Sequence, residues 1–246
     1  MLKFLKQFLP GAKIEPPALD TDDYSNLSLP FEYIVIAGKD AVLERSKLLS
    51  RPGITPIIMG GRKHVALLED LLSSPHDSPE AIIERASKLD VVEWIAAKVE
   101  EDPAYYSIES AGWPPKQMQA MDLSVHLDVL SRHPLPKVIV GLVPTSPSWG
   151  APAYVSYGDW NDCPSSEVHV AMHKKWHEEY GSDIACMSGD IIECTVKRPP
   201  SSREAALALA SEQFVYCSDI VHQGALSLEA LAATLLDSKT WYFWWD

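Results

Sequence analysis

The chain has 246 residues, 46% of them apolar, with 21 basic and 34 acidic side chains and a formal net charge of −13. That apolar share is enough for a globular core, so disorder is not the default state. The negative balance disfavours broad attraction to nucleic acid or to an anionic membrane surface and suits a basic protein partner.

The first nine residues alternate Leu2, Phe4, Leu5, Phe8 and Leu9 with Lys3 and Lys6, which breaks the apolar run a signal peptide needs. This reads as a short amphipathic helix within an N-terminal arm, residues 1–30. No later stretch reaches about 18 uninterrupted apolar residues, so no membrane span is expected. Cys163, Cys186, Cys194 and Cys217 form no CxxC pair, a usage that suits reduced thiols in the cytoplasm better than disulfides or a zinc site.

An N-terminal α/β lobe is expected over 31–149. The β-branched run 33–37 ending at Gly38 reads as a buried strand, 40–49 as a helix stopped by Pro52 and Gly53, and 54–59 as a second strand. Three helical patterns fill 63–101. A Pro- and Gly-rich irregular loop covers 101–119, a helix is expected at 123–130, and a strand at 138–143. Pro144, Pro147, Gly150 and Pro152 mark a linker.

A C-terminal α/β domain, 150–246, is then expected. It opens with a strand at 153–157 and a loop at 158–164. The following helix, 164–180, takes Pro164 at its first position and Gly181 as its terminator. Segments 184–187 and 191–196 form a hairpin across Ser188, Gly189 and Asp190. Ser201 and Glu204 give a capping-box start to a helix running to Cys217, and another helix covers 226–236. The aromatic ending WYFWWD demands burial on both faces as a strand, which favours a core strand over an open stacking surface. The fold class is α/β, a mixed sheet flanked by helices, with the second half repeating the strand, helix, strand order of the first.

Five motifs occur in order: YGDWNDCP at 157–164, WHEEYG at 176–181, RPP at 198–200, EQFVYCSD at 212–219 and the terminal WYFWWD. Together they resemble the bacterial family called domain of unknown function 4253 over about residues 150–246. The N-terminal part resembles it only through GITPIIMG at 53–60. The family pattern carries a glycine or small residue in place of Asp159 and a small residue in place of Asp162, so this chain's loop is more acidic. The resemblance implies a fold and no activity.

Cys163, just before Pro164, is expected to cap the following helix, where backbone N–H groups would favour a thiolate nucleophile; Asn161 and Asp162 could orient a base or substrate. Asp190, Glu193, Glu212 and Asp219 would converge if the hairpin packs on the helix that starts at Ser201. Glu212 would then need Arg198, Gln213 or a tyrosine as partner, as an ion pair or as an acid/base group. His169, His173 and His177 have metal-compatible spacing but fall beside the Val168, Met172, Trp176 stripe, so they are expected to face solvent, and no metal is assigned. Arg198 could clamp Asp246.

Three readings of function follow from these residues. The first is a non-catalytic acidic protein that binds a basic, toxin-like partner, as immunity proteins do; its binding residues would be Asp159, Trp160, Asn161, Asp162, Asp190, Arg198, Tyr216 and Asp219. The second is a hydrolase or transferase using Cys163, Glu212 and Tyr216. A third, weaker reading is a small-ligand sensor lined by Trp160, Trp241 and Trp244. No Gly-rich phosphate loop occurs, so no cofactor is expected.

Overall fold

A computed structural model describes residues 22–74, 76–115 and 122–246; the expected helix in the first nine residues and part of the 101–119 loop lie outside them. One six-stranded mixed sheet organises the described chain, in the order β1-β3-β2-β4-β5-β6. In chain order its elements begin with β1 (Glu32–Ile36), α1 (Ala41–Leu48), β2 (Thr55–Gly60), α2 (Arg62–Ser73), α3 (Pro79–Lys88), α4 (Val91–Glu101) and β3 (Val138–Val143). They continue with α5 (Ser166–Tyr180), β4 (Ser182–Met187), β5 (Ile191–Val196), α6 (Arg203–Tyr216), α7 (Leu228–Leu235) and β6 (Thr240–Trp244).

The strands TPIIMG and VIVGLV are buried at every position because β2 and β3 lie inside the sheet with both faces covered. The parallel pairing of β2 with β4 joins the two expected units in a single sheet. At this seam Arg45 of α1, almost wholly buried, donates from Nε to the Pro56 carbonyl (3.1 Å) and from Nη2 to the Ile184 carbonyl (3.2 Å). One guanidinium therefore ties β2 to β4.

One face of the sheet carries α2, α5, α6 and α7 over a core that includes Ile57, Met59, Met172, Trp176, Phe214, Trp241 and Phe243. On the other, Ala41 of α1 with Leu123 and Val125 covers Ile58, Val140 and Cys186. The covering segment at 122–135 is irregular, where a helix was expected at 123–130. Its N–H groups are diverted: Ser124 and Val125 donate to the buried Glu193 carboxylate, and Leu130 and Ser131 donate to the Asp128 side chain.

The expected strand at 153–157 is instead the end of a 3-10 segment, Ser148–Val155, which removes the proposed repeat of strand, helix, strand order. Pro152 lies within it, and Ala151, Ala153 and Val155 pack inward; a short apolar run does not distinguish a buried strand from a buried turn of helix. The aromatic ending forms an edge strand. Trp241, Phe243 and Trp245 are buried against α5 and α6, whereas Tyr242 and Trp244 on the opposite face are half-buried. Each such buried ring removes roughly 150–250 Å² from water, so this face dominates the local core energy.

Candidate functional site

The loop between the 3-10 segment and α5 reverses direction through Ser156, Asp159 and Asn161, with φ of 48°, 66° and 46°, and through Gly158 at 116°. Gly158 is obligatory, because a Cβ there would sit 1.9 Å from the Pro164 carbonyl oxygen. The Asp159 N–H closes the loop on the Cys163 and Pro164 carbonyls (3.3 and 3.2 Å), and the Cys163 N–H on that of Trp160 (2.8 Å). Left-handed backbone at non-glycine residues costs free energy that the rest of the fold must offset, and such positions cluster at functional sites. The loop presents Asp159, Asn161 and Asp162 to solvent.

On one side it borders a cleft of about 670 Å³ that includes Asp70, Asp77, Arg85, Asp159 and Glu167 in its walls. Arg85 pairs with Glu167 (2.5 Å) and Asp77 (2.8 Å). The Asp70 and Asp159 carboxylates have no ion pair or side-chain hydrogen bond among the described residues. Burial, and then the neighbouring Glu167, push the Asp159 carboxyl above its usual range. On the other side the Asn161 amide donates to the Asp246 carbonyl oxygen, Asp246 N–H donates to Asp219 (2.9 Å), and Tyr105 O–H reaches Asp162 (3.4 Å). The loop thus divides one acidic surface.

Beneath the loop runs a buried polar string. Cys163 Sγ lies 3.4 Å from His169 Nε2, and His169 Nδ1 lies 2.5 Å from Tyr216 Oη. His173 Nε2 lies 3.0 Å from the same oxygen, and its Nδ1 3.7 Å from Cys194 Sγ. Burial keeps both imidazoles neutral: His173 falls to about 3, and His169, next to His173, well below the ordinary value. A neutral ring has one donor and one acceptor nitrogen, so the string can run in one direction throughout. Cys194 S–H to His173, His173 to Tyr216, Tyr216 to His169 and His169 to Cys163 satisfies every member.

The expectation that these histidines face solvent is therefore corrected. Val170 and Ala171 pack with Ile82 and Ala86 of α3, so α5 is covered on more than the Val168, Met172, Trp176 side, and the 169/173 side meets α6. The i, i+4 spacing is the signal the sequence carries, and Val170 and Ala171 mark the further packed face. His177, lower on the helix, pairs with Asp183 (3.1 Å).

The remaining assignments divide. The structure gathers Asp159, Trp160, Asn161, Asp162, Cys163 and Asp219, with Tyr216 below them. Trp160 packs edge-on against Tyr157 at 5.0 Å. Glu212 instead binds Lys175 (2.8 Å) and Trp176 Nε1 (3.1 Å), seven residues along α5 from His169, or about 10 Å of helix. Arg198 neither pairs with Glu212 nor clamps Asp246; it donates to the Glu178 carbonyl (2.9 Å). Asp190 accepts from Ser188 and Glu193 from Ser124, so the four carboxylates do not converge. Trp241 packs on Trp176 and Tyr180, away from Trp160. Tyr105, Asp70, Asp77, Arg85 and Glu167 were missed, because their roles come from tertiary placement and no local motif announces them. Among the described residues no group of three or more His, Cys, Asp or Glu is placed to hold a metal ion.

The N-cap of α5 is Ser165, not Cys163. Burial raises the Cys163 thiol far above a free cysteine, opposite to what a nucleophile needs. All four cysteines are buried thiols. Iodoacetamide is expected to modify none of them in the native protein and all four after denaturation, counted by mass spectrometry; rapid native labelling of Cys163 would restore the nucleophile reading.

Residues 139–246 match the family model described as Domain of unknown function (DUF4253). The resemblance carried by the five motifs is thereby shown over this segment, which contains the acidic loop, the buried string and the aromatic strand. The matched DUF4253 segment begins within β3, so it includes a strand of the first expected unit. No curated protein and no solved structure matches the chain. Among the described residues no helix is long and apolar enough to cross a membrane.

Proposed function

We propose that the chain is a non-catalytic acidic protein that binds a basic protein partner through the 158–163 loop and its flanking cleft, as an immunity protein does when it neutralises a toxin. The observation that carries this reading is the pair of carboxylates, Asp70 and Asp159, that have no ion-pair partner among the described residues, in a cleft with four carboxylates and one arginine. A lysine or arginine from a partner would supply the missing charge, and the net charge of −13 would steer its approach. Cytoplasmic location belongs to the same proposal. The burial of Cys163 and the engagement of Glu212 by Lys175 and Trp176 leave the enzyme reading without a supporting arrangement.

The test is to express the protein encoded beside this chain's gene with and without the chain. Growth arrest relieved by co-expression supports the reading; arrest that persists, or its absence, counts against it. Asp159→Gly separates affinity from folding. Glycine suits φ 66° and removes a partly desolvated carboxylate, so the unfolding free energy should hold or rise by up to about 1 kcal/mol while binding weakens. Denaturant titration beside calorimetric binding reads both effects.

A further inference from the structure

The aromatic rings around the buried string form a connected path from the loop to Tyr216. Trp160, half-buried in the loop, packs on Tyr157 with centroids 5.0 Å apart; Tyr157 lies 6.1 Å from Trp245, and Trp245 5.4 Å from Tyr216. Such separations permit an electron to hop from ring to ring. The end of the path differs from its middle in one respect. The Tyr157 hydroxyl is buried and has no hydrogen-bond partner among the described residues, whereas Tyr216 Oη is held by an imidazole nitrogen on each side.

Oxidation of a phenol by one electron is favourable only when its proton has somewhere to go, since the phenol radical cation is a very strong acid. We propose that Tyr216 is a redox-active tyrosine, reached from the surface through Trp160, Tyr157 and Trp245, with His169 as its proton acceptor. The co-reactant is a one-electron oxidant arriving at Trp160. It removes one electron from that indole and is itself reduced; electrons then move outward along the path until the vacancy rests on Tyr216. In the same step the Oη–H bond breaks and its proton passes to His169 Nδ1. The products are a neutral tyrosyl radical, an imidazolium whose Nε2–H still points at Cys163, and the reduced oxidant. The His173 Nε2–H bond to the tyrosyl oxygen persists throughout. A returning electron reverses both transfers, because the proton never leaves the buried pair.

The two imidazoles at Tyr216 also explain why this ring, rather than a tryptophan, would keep the radical. Trp245 has its Nε1–H buried without an acceptor among the described residues, so its radical cation has nowhere to send its proton, whereas at Tyr216 the charge moves to His169, whose imidazolium is a far weaker acid than a phenol radical cation. Tyr216 alone on the path becomes neutral by passing its proton a single hydrogen bond away. The path enters at Trp160 in the same loop, but the radical site at Tyr216 lies beneath it and does not depend on the basic-partner reading.

The experiment is flash oxidation of the full chain with photoexcited tris(bipyridine)ruthenium(II) and an irreversible cobalt(III) acceptor, followed by freeze-trapping and electron paramagnetic resonance. The expected result is a tyrosyl signal in the wild type that is retained in Tyr157→Phe at lower yield and lost in Tyr216→Phe, with circular dichroism confirming that each variant folds. A tyrosyl signal undiminished in folded Tyr216→Phe, or only a tryptophanyl signal in the wild type, overturns the proposal. Trp160→Phe, at the loop surface, provides a second reading should Tyr216→Phe not fold: loss of yield supports the path, and an unchanged yield overturns it.

Discussion

Acidification should destabilise the protein well before its carboxylates titrate. Burial keeps His173 neutral down to about 3 and pushes His169 well below its ordinary value, whereas both take up a proton near 6.5 once the chain unfolds. Their folded values are depressed, so their contribution is complete above about 6.5 and is lost as the pH falls below it. Each imidazole adds a slope of roughly 1.4 kcal/mol per pH unit between those limits. His64 and His126, also lowered by burial, act with the same sign. The raised Asp159 carboxyl acts oppositely, but in the carboxylate range below this window. Urea unfolding between pH 5 and 8 should therefore show stability rising steeply up to about pH 6.5 and levelling above it. In His169→Gln, His173→Gln the protein is weaker near neutrality, from the broken string, and the slope is shallower. An unchanged slope would mean that these rings are not buried neutral.

Glu193 should give the largest loss from a single surface-remote carboxylate. It is 1% exposed, and both its oxygens accept from Ser124 N–H (2.8 Å), with further bonds from the Ser124 hydroxyl and Val125 N–H (3.3 Å). Glu193→Ala leaves those buried donors without an acceptor and frees the segment that covers Ile58 and Cys186. A loss on the order of 3–5 kcal/mol is expected, measured by denaturant unfolding. Glu193→Gln, which keeps one acceptor oxygen, should lose less. Equal stability of Glu193→Ala and the wild type would show that the 122–135 segment is not held by this carboxylate.

Glu193 also shows where sequence reasoning stopped. The strand that carries it was legible from its β-branched run and the Ser188, Gly189, Asp190 turn, as were β1, β2, β3 and α5 to α7, although α6 is capped by Ser202, whose side chain accepts from the Ala205 N–H, rather than by Ser201. The segment at 123–130 was not, because the N–H groups of Ser124 and Val125 bond to a residue almost seventy positions away, and no local pattern records that. The same limit governs the site. The acidic loop stood out because its residues are contiguous, whereas its cleft draws Asp70 and Asp77 from around α2 and Arg85 from α3. His169 and His173 were visible as a spacing, but their burial depended on how many faces of α5 are covered. Glu212 and Arg198 were paired on plausible charge alone; the fold gives each a nearer partner.

Binding of a basic probe tests the proposed function most directly. An arginine-rich peptide, protamine, titrated calorimetrically into the full chain at low and moderate salt should bind with an affinity that falls with salt. Asp70→Asn, Asp159→Asn, Asp162→Asn should weaken it by about tenfold or more, equivalent to about 1.4 kcal/mol. The control Glu93→Gln, Glu100→Gln, Glu109→Gln removes the same charge from exposed positions elsewhere and should leave affinity close to wild type. If both triple variants weaken binding equally, or neither does, the loop and cleft are not the binding surface.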